Sequence, residues 1–284
     1  MGWNGSLSSS SAVGSSITFT SETTAEGAYT VGSFTAPKAG VYKFTLYGSG
    51  GRTNTDVATE WYESRAAGGV GGTTVGYINM GAGQVVYIGV GGTRSAAFVS
   101  SAWGAALKDI AVGNVYLIAG GGGCGGAMWG QRWNNKSGAG GAGGGTSGGY
   151  GISADQAAVT TPGTQTSGYA YGVGGGGAYG NEGYSYWGGA GGDGLYGGHN
   201  GGWANGGGGG SGYVWTSSIA VGGSTYTNST TQGGGAASDN TGSVVVTYMA
   251  SSMLPIYYNG TQLSKIVYNG TTLTSLVYNG TKLF

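Results

Sequence analysis

Seventy of the 284 residues are glycine, and no other property of the sequence restricts the fold so severely. Fixing one backbone unit costs about 1–2 kcal/mol. Glycine lies at the upper end of that range and has no side chain to bury in return. Such a chain stays disordered unless its main chains bond to one another. The rest of the composition argues for order. Disordered chains are poor in aromatic residues and rich in charge. This one carries 21 Tyr, 8 Trp and 5 Phe, only 3 Pro, and 7% charged residues. Glycine must therefore be ordered by backbone hydrogen bonds and close main-chain approach, with Cα–H···O contacts as a smaller term. That predicts a packed array of extended chains. Collagen is excluded, because glycine does not recur strictly at every third position and proline is scarce.

Strand-like segments flank the glycine-dense stretch on both sides. Ile17-Thr18-Phe19-Thr20 alternates, and Gly40 to Tyr47 places Tyr42, Phe44 and Leu46 on one face. Residues 73–79 and 85–90 read as two strands joined by a hairpin loop, Met80-Gly81-Ala82-Gly83-Gln84. Val115 to Ala119 runs straight into Gly120–Gly123, and Ser243 to Tyr248 closes the set. Ala102 to Ile110 is a weak helix candidate. The expected fold is all-β: a β-sandwich-like framework with an inserted glycine-rich lattice and a C-terminal β-hairpin repeat. The expected divisions are an N-terminal flexible or docking segment, 1–15, a framework over 16–250 with its glycine-dense core at 120–213, and a repeat array over 256–284.

Inside the core the glycines fall locally into triplets. Gly188-Gly189-Ala190, Gly191-Gly192-Asp193, Gly194-Leu195-Tyr196 and Gly197-Gly198-His199 follow one another, and Gly140-Gly141-Ala142 precedes Gly143-Gly144-Gly145. Three residues per turn is the repeat of a polyproline-II-type helix, rising about 3.1 Å per residue. Short runs separated by loops predict a bundle of polyglycine-II helices, each roughly 15–25 Å long, with loops at its ends.

The order of segments carries a resemblance. Ala39-Gly40-Val41-Tyr42-Lys43-Phe44, Gly68-Gly69-Val70-Gly71-Gly72-Thr73-Thr74-Val75, residues 83–92 and Leu117-Ile118-Ala119-Gly120-Gly121-Gly122-Gly123 resemble the glycine-rich domain of anaplastic lymphoma kinase ectodomains and of many bacterial and phage proteins. It covers about residues 35–250. It implies polyglycine-II helices beside β-strands. In the kinase branch the domain binds protein ligands. In T-even-like phage adhesins a related polyglycine architecture contacts the receptor through its end loops. The sequence lacks the kinase branch's cysteines, signal peptide and membrane span, which favours the phage and bacterial side.

Tyr258-Asn259-Gly260-Thr261, Tyr268-Asn269-Gly270-Thr271 and Tyr278-Asn279-Gly280-Thr281 recur every ten residues. Asn-Gly between β-formers is a strong hairpin signal, because a type I′ turn needs positive φ at both central positions. A meander of three hairpins is expected. It cannot bury a core alone, so it packs against its own copies, against a fibre, or as a cap on the main domain. Such decamers resemble tails of proteins in phages of Gram-positive bacteria. Asn-Gly-Thr also matches a glycosylation sequon, which without a secretory signal carries little weight.

The sequence offers little catalytic material. His199 is the one histidine and Cys124 the one cysteine. A metal site wants several such ligands, so neither a metal nor any other cofactor is expected. The carboxylates are scattered, with Glu60 and Glu63 best read as solvated. Matches to G-x-G-x-x-G follow from glycine content alone and lack the strand–helix setting. No enzyme is expected.

Binding material is richer. Aromatic residues gather where glycine runs are interrupted, and Tyr and Trp dominate binding hot spots. The candidate receptor-binding residues are Trp61, Tyr62, Trp129, Arg132, Trp133, Asn134, Lys136, Tyr184, Tyr186, Trp187, Tyr196 and Trp203, with 127–136 the preferred loop. Tyr169 and Tyr171 form a further pair. The alternative for any of them is packing against the glycine lattice.

The formal net charge is zero, so no basic excess draws nucleic acid or anionic lipid. The N-terminus lacks the basic and apolar regions of a signal peptide, and no apolar run is long enough to span a membrane. The expectation is a receptor-binding tip of a phage or phage-like tail, released by host lysis. It would bind a bacterial cell-surface protein or glycan, attach to other tail or fibre proteins, and associate with its own copies, a trimer being favoured. A structural matrix protein and a glycan-degrading tail enzyme are the alternatives.

Overall fold

The computed structural model describes residues 2–4, 6–53, 64–128, 137–153, 155, 157–181, 185–215 and 229–250, and six dipeptides of the C-terminal repeats. Two antiparallel sheets face each other. The first orders its strands Gly2–Asn4, Ser16–Thr20, Ser243–Ala250, Gly40–Tyr47, Gly72–Met80 and Ser229–Gly234. The second orders Tyr213–Val214, Val115–Ala119, Ala97–Ser100, Val85–Gly91 and Tyr29–Thr35.

Alternation drives the packing. Along Gly40–Tyr47, Tyr42, Phe44 and Leu46 point inward and are fully buried, while Lys43, Thr45 and Tyr47 are half-buried on the other face. They meet Val86, Ile88, Val99 and Leu117 of the opposite sheet in one core. Phe34 stitches the sheets together. Its ring lies edge-on to Tyr42, Phe44 and Phe19 at 5.3, 6.1 and 6.5 Å, the geometry aromatic quadrupoles prefer.

Two expectations are corrected. The turn at Gly81–Gln84 forms, closed by the Gln84 N–H on the Gly81 carbonyl with Gly83 at φ +79°, but it is not a hairpin. Gly72–Met80 pairs with Gly40–Tyr47, and Val85–Gly91 pairs with Tyr29–Thr35. The chain crosses between sheets because Met80 and Val86 both enter the space between them. The stretch Ala102 to Ile110 is a loop with a short 3₁₀ turn, Leu107–Asp109; Gly104 and the burial of Leu107 and Ile110 in a second apolar cluster override its helical propensity. The three hairpins expected in the C-terminal repeats are present, and among the described residues no ladder joins one to the next. Tyr258 pairs with Thr261, Tyr268 with Thr271 and Tyr278 with Thr281, each in its own two-stranded ladder.

The glycine array rises from the sandwich. It is wider than residues 120–213, because segments 48–52 and 66–72 and residues 235–240 join it. Segment 206–211 lies at its centre. Gly207 and Gly210 donate to the Cys124 and Gly121 carbonyls, Gly206 and Gly209 to Ile152 and Gly149, and Gly208 and Ser211 to His199 and Tyr196, all at 2.9–3.1 Å. Its own carbonyls accept from segments 138–144 and 188–195 and from Gly163. Six neighbours therefore surround it, and its donor direction returns every third residue.

The same period holds in segment 120–126. Gly121 and Cys124 donate to Asp193 and Ala190, Gly122 and Gly125 to Ser49 and Arg52, and Gly123 and Gly126 to Gly141 and Gly138. Space, not backbone conformation, demands glycine here. A β-carbon on Gly123 would stand 2.1 Å from the Gly207 carbonyl oxygen, and one on Gly207 2.0 Å from that of Ala190. Neither glycine has φ in the left-handed region.

The four successive triplets at 188–199 do not form one run. The chain reverses at Leu195–Tyr196, and Gly198 and Gly201 donate back to Gly192 and Gly189. Leu195 causes the reversal by inserting, 4% exposed, into the second apolar cluster beside Phe98 and Ile118.

Candidate functional site

Segments 48–52, 66–72, 120–126 and 206–211 each have one end at the sandwich and one end away from it. At the sandwich end lie Gly48, Gly72, Gly120 and Ser211, each within a few residues of a sandwich strand. The opposite, distal end carries a separate four-stranded sheet, ordered Ala178–Asn181, Ser185–Gly188, Ala127–Met128 and Ser64–Arg65. Ala127 pairs with both Trp187 and Arg65, and Met128 with both Tyr186 and Ser64.

Trp61, Tyr62, Trp129, Arg132, Trp133, Asn134, Lys136 and Tyr184 lie outside the described residues. The strands that lead into or out of their segments are described, and all belong to the distal sheet. Residues 54–63 end at Ser64, 129–136 begin after Met128, and 182–184 connect Asn181 to Ser185. Segments far apart in sequence are thus tethered to one small sheet.

Tyr186, Trp187 and Trp203 are at this end too. Tyr186 and Trp203 stack with ring centroids 4.6 Å apart and planes 17° from parallel. Trp203 is 57% exposed. It sits in the turn Gly202–Asn205, closed by the Asn205 N–H on the Gly202 carbonyl at 2.8 Å. Trp203 and Ala204 have φ of +49° and +63°. Positive φ at both central positions is the type I′ arrangement that Asn-Gly normally fills. A left-handed non-glycine residue costs about 1–2 kcal/mol. The array holds the turn in place: Ala204 is fully buried, and its carbonyl accepts the Gly138 N–H at 2.9 Å. Backbone strain of this kind collects at binding sites.

Tyr196 is separated from these residues. It lies at the sandwich end, edge-on to Tyr171 at 6.4 Å and packed on the second apolar cluster. Together they line a cleft of ≈ 430 Å³ with Lys108, Ile110 and Gln165. His199 is exposed on the flank of the array, edge-on to Tyr169 at 5.9 Å.

A buried ionic joint was not foreseen from the sequence. Arg94 Nη1 lies 3.0 Å from Asp193 Oδ1 and donates also to the Gly191 carbonyl, while its Nε donates to Glu26 at 2.7 Å. Asp193 accepts further from the Tyr29 hydroxyl and the Gly174 N–H at 2.9 and 2.8 Å. Burial raises the Asp193 pKa, while Arg94 and these donors pull it down. Burial opposes the Arg94 charge, but Asp193 and Glu26 outweigh it and raise the guanidinium pKa. Tyr29 is held well above its ordinary value by burial and then by the facing carboxylate. The joint fastens the sandwich to the array. Its one trace in the sequence is a lone carboxylate within a glycine run.

Cys124 lies nearby, 6% exposed, with the Arg52 N–H 3.3 Å from its sulfur. Burial, then Glu26, pushes its pKa up to about 12. The thiolate is the reactive form, so iodoacetamide at pH 8 is expected to leave the native thiol unmodified and to label it once the chain is unfolded in guanidinium. Native labelling at the rate of a free thiol would contradict this burial.

Among the described residues no cluster of three His, Cys, Asp or Glu side chains is arranged for a metal ion, and no helix is long and apolar enough to cross a membrane. No family model and no curated protein matches the chain.

Proposed function

We propose that this protein is the receptor-binding tip of a phage or phage-like tail, a non-catalytic adhesin that engages the bacterial cell surface with the distal end of its glycine array. One observation carries the reading: the described ends of three aromatic-bearing segments, together with the Tyr186–Trp203 stack, are gathered on one small sheet at the end farthest from the sandwich. Binding loops positioned by a rigid scaffold lose less conformational freedom on association. The resemblance of residues 35–250 to the phage and bacterial glycine-rich domain supports the same reading.

The array segments are assigned to polyglycine-II helices. A threefold screw is the conformation whose donors recur at the observed period. The C-terminal hairpins are assigned to attachment, joining other tail or fibre proteins or further copies of the chain, with three copies favoured. Ladders of two residues per strand need a covering partner.

The test uses the full chain, fluorescently labelled, on a panel of bacterial strains. Deleting residues 130–135 is expected to weaken binding to a recognised strain at least about tenfold, equivalent to about 1.4 kcal/mol, with the melting temperature unchanged. Undiminished binding by the folded deletion variant would reject the distal end as the binding end.

A further inference from the structure

We infer that the Tyr186–Trp203 pair is a stacking platform for a neutral saccharide, which names the ligand class of the distal end and rests on that end being the binding end. Three observations carry it. The first is ring geometry. Most aromatic pairs among the described residues meet edge-on or tilted, as Phe34 does with Tyr42 at 65° and Phe44 at 81°; Tyr116 and Trp215, half-buried against the core, are the other near-parallel pair at 24°. Tyr186 and Trp203 lie nearly parallel at 17°. A parallel stack leaves the outer ring a whole face, and Trp203 is 57% exposed. The C–H-rich face of a pyranose ring is flat, apolar and of matching size, and the polarised C–H bonds meet the negative face of the indole.

The second observation is preorganisation. A tryptophan followed by alanine occupies the two left-handed positions of a type I′ turn, where Asn-Gly would be relaxed. The turn is clamped by the Asn205 N–H on one side and by buried Ala204 on the other. The ring is therefore presented at a fixed orientation by a scaffold that does not yield. Core packing does not account for an indole held outward in a disfavoured conformation. The space beside it is open as well, since a β-carbon on Gly202 would meet nothing within 4 Å.

The third is electrical. The net charge of the chain is zero, and the charges carried by the distal segments nearly cancel, Asp56, Glu60, Glu63 and Glu182 against Arg65, Arg132 and Lys136. Recognition by stacking and hydrogen bonds suits an uncharged hexose or N-acetylhexosamine better than an acidic polymer or a charged protein patch.

Trp203→Gly separates binding from folding. Glycine relaxes the left-handed position while removing the ring, so the variant is expected to melt at or above the wild-type temperature. Wild type and variant would be applied to a printed array of neutral hexose and N-acetylhexosamine oligosaccharides. The expected result is wild-type binding to at least one of them, weakened at least tenfold in Trp203→Gly and partly retained in Trp203→Phe. No binding on the array, or equal binding by Trp203→Gly, overturns the proposal. Cells of a recognised strain distinguish this from failure of the underlying reading. If periodate treatment leaves binding intact and protease treatment abolishes it, the receptor is a protein and the saccharide platform falls while the distal end stands. If the 130–135 deletion binds treated and untreated cells like wild type, the distal reading falls.

Discussion

Gly207→Ala is expected to cost about 3 kcal/mol or more, at the upper end of the range for overpacking a filled interior. Its β-carbon would lie 2.0 Å from the Ala190 carbonyl oxygen, with the Ala190 carbonyl carbon at 2.4 Å and the Gly189 oxygen at 2.8 Å. All three obstacles are backbone, so no side chain can rotate away. Nor can the neighbour withdraw alone. Gly207 donates to Cys124, its own carbonyl accepts from Gly141, and Ala190 accepts from Cys124. Moving one segment loosens the next. At about 2–4 °C per kcal/mol for a chain of this size, the melting temperature falls by roughly 10 °C. The matched control is Gly113→Ala, where a β-carbon meets nothing within 4 Å and the melting temperature is expected to hold. Thermal denaturation of both variants checks the claim; equal melting temperatures would remove close main-chain approach as the reason for glycine.

Arg94→Met is expected to be as damaging, for a different reason. The Asp193 side chain is 3% exposed and that of Arg94 12%. Removing the guanidinium leaves a buried carboxylate whose remaining donors, Tyr29, Gly174 and Ser95, carry no charge. Breaking one side of a buried pair costs about 3–5 kcal/mol. The backbone contributes nothing to the difference, because any non-glycine residue meets the same conformation at φ +59°. Glu26, whose side chain is 34% exposed, is screened by solvent, and Glu26→Gln is expected to cost no more than about 1 kcal/mol. Urea denaturation of the two variants separates the contributions. A loss in Arg94→Met no larger than in Glu26→Gln would show that the joint does not hold the array to the sandwich.

The two kinds of element differ in how much the sequence reveals. Gly40–Tyr47 and Ser243–Ala250 were legible because one face is buried and the other wet, which writes the fold into alternation. Ala97–Ser100 is buried at every residue and has no such signature; Tyr29–Thr35 is an edge strand interrupted by Gly32. The misread turn at Gly81–Gln84 shows the limit of local chemistry: its glycines specify a reversal, but the side chains on either side decide which sheet receives the chain. Triplets foretold the threefold repeat of hydrogen bonds, though not the reversal at Leu195, which depends on an apolar cluster built from residues some 80 to 100 positions earlier. At the distal end, Tyr186, Trp187 and Trp203 were marked by their interruption of glycine runs. Tyr196 carried the same mark and lies at the other end, because spacing along a folded-back chain does not tell which end a residue reaches.

The threefold return of donors at Gly121–Gly126 and Gly206–Ser211 also governs how such a molecule can diversify. Losing or gaining one residue within a segment would rotate every later N–H by a third of a turn, away from its acceptor and toward a different strand. Length changes inside the stalk are therefore tolerable only in whole triplets. The connections beyond the distal sheet lie outside these segments, so a change of length there shifts no donor of the bundle from its acceptor.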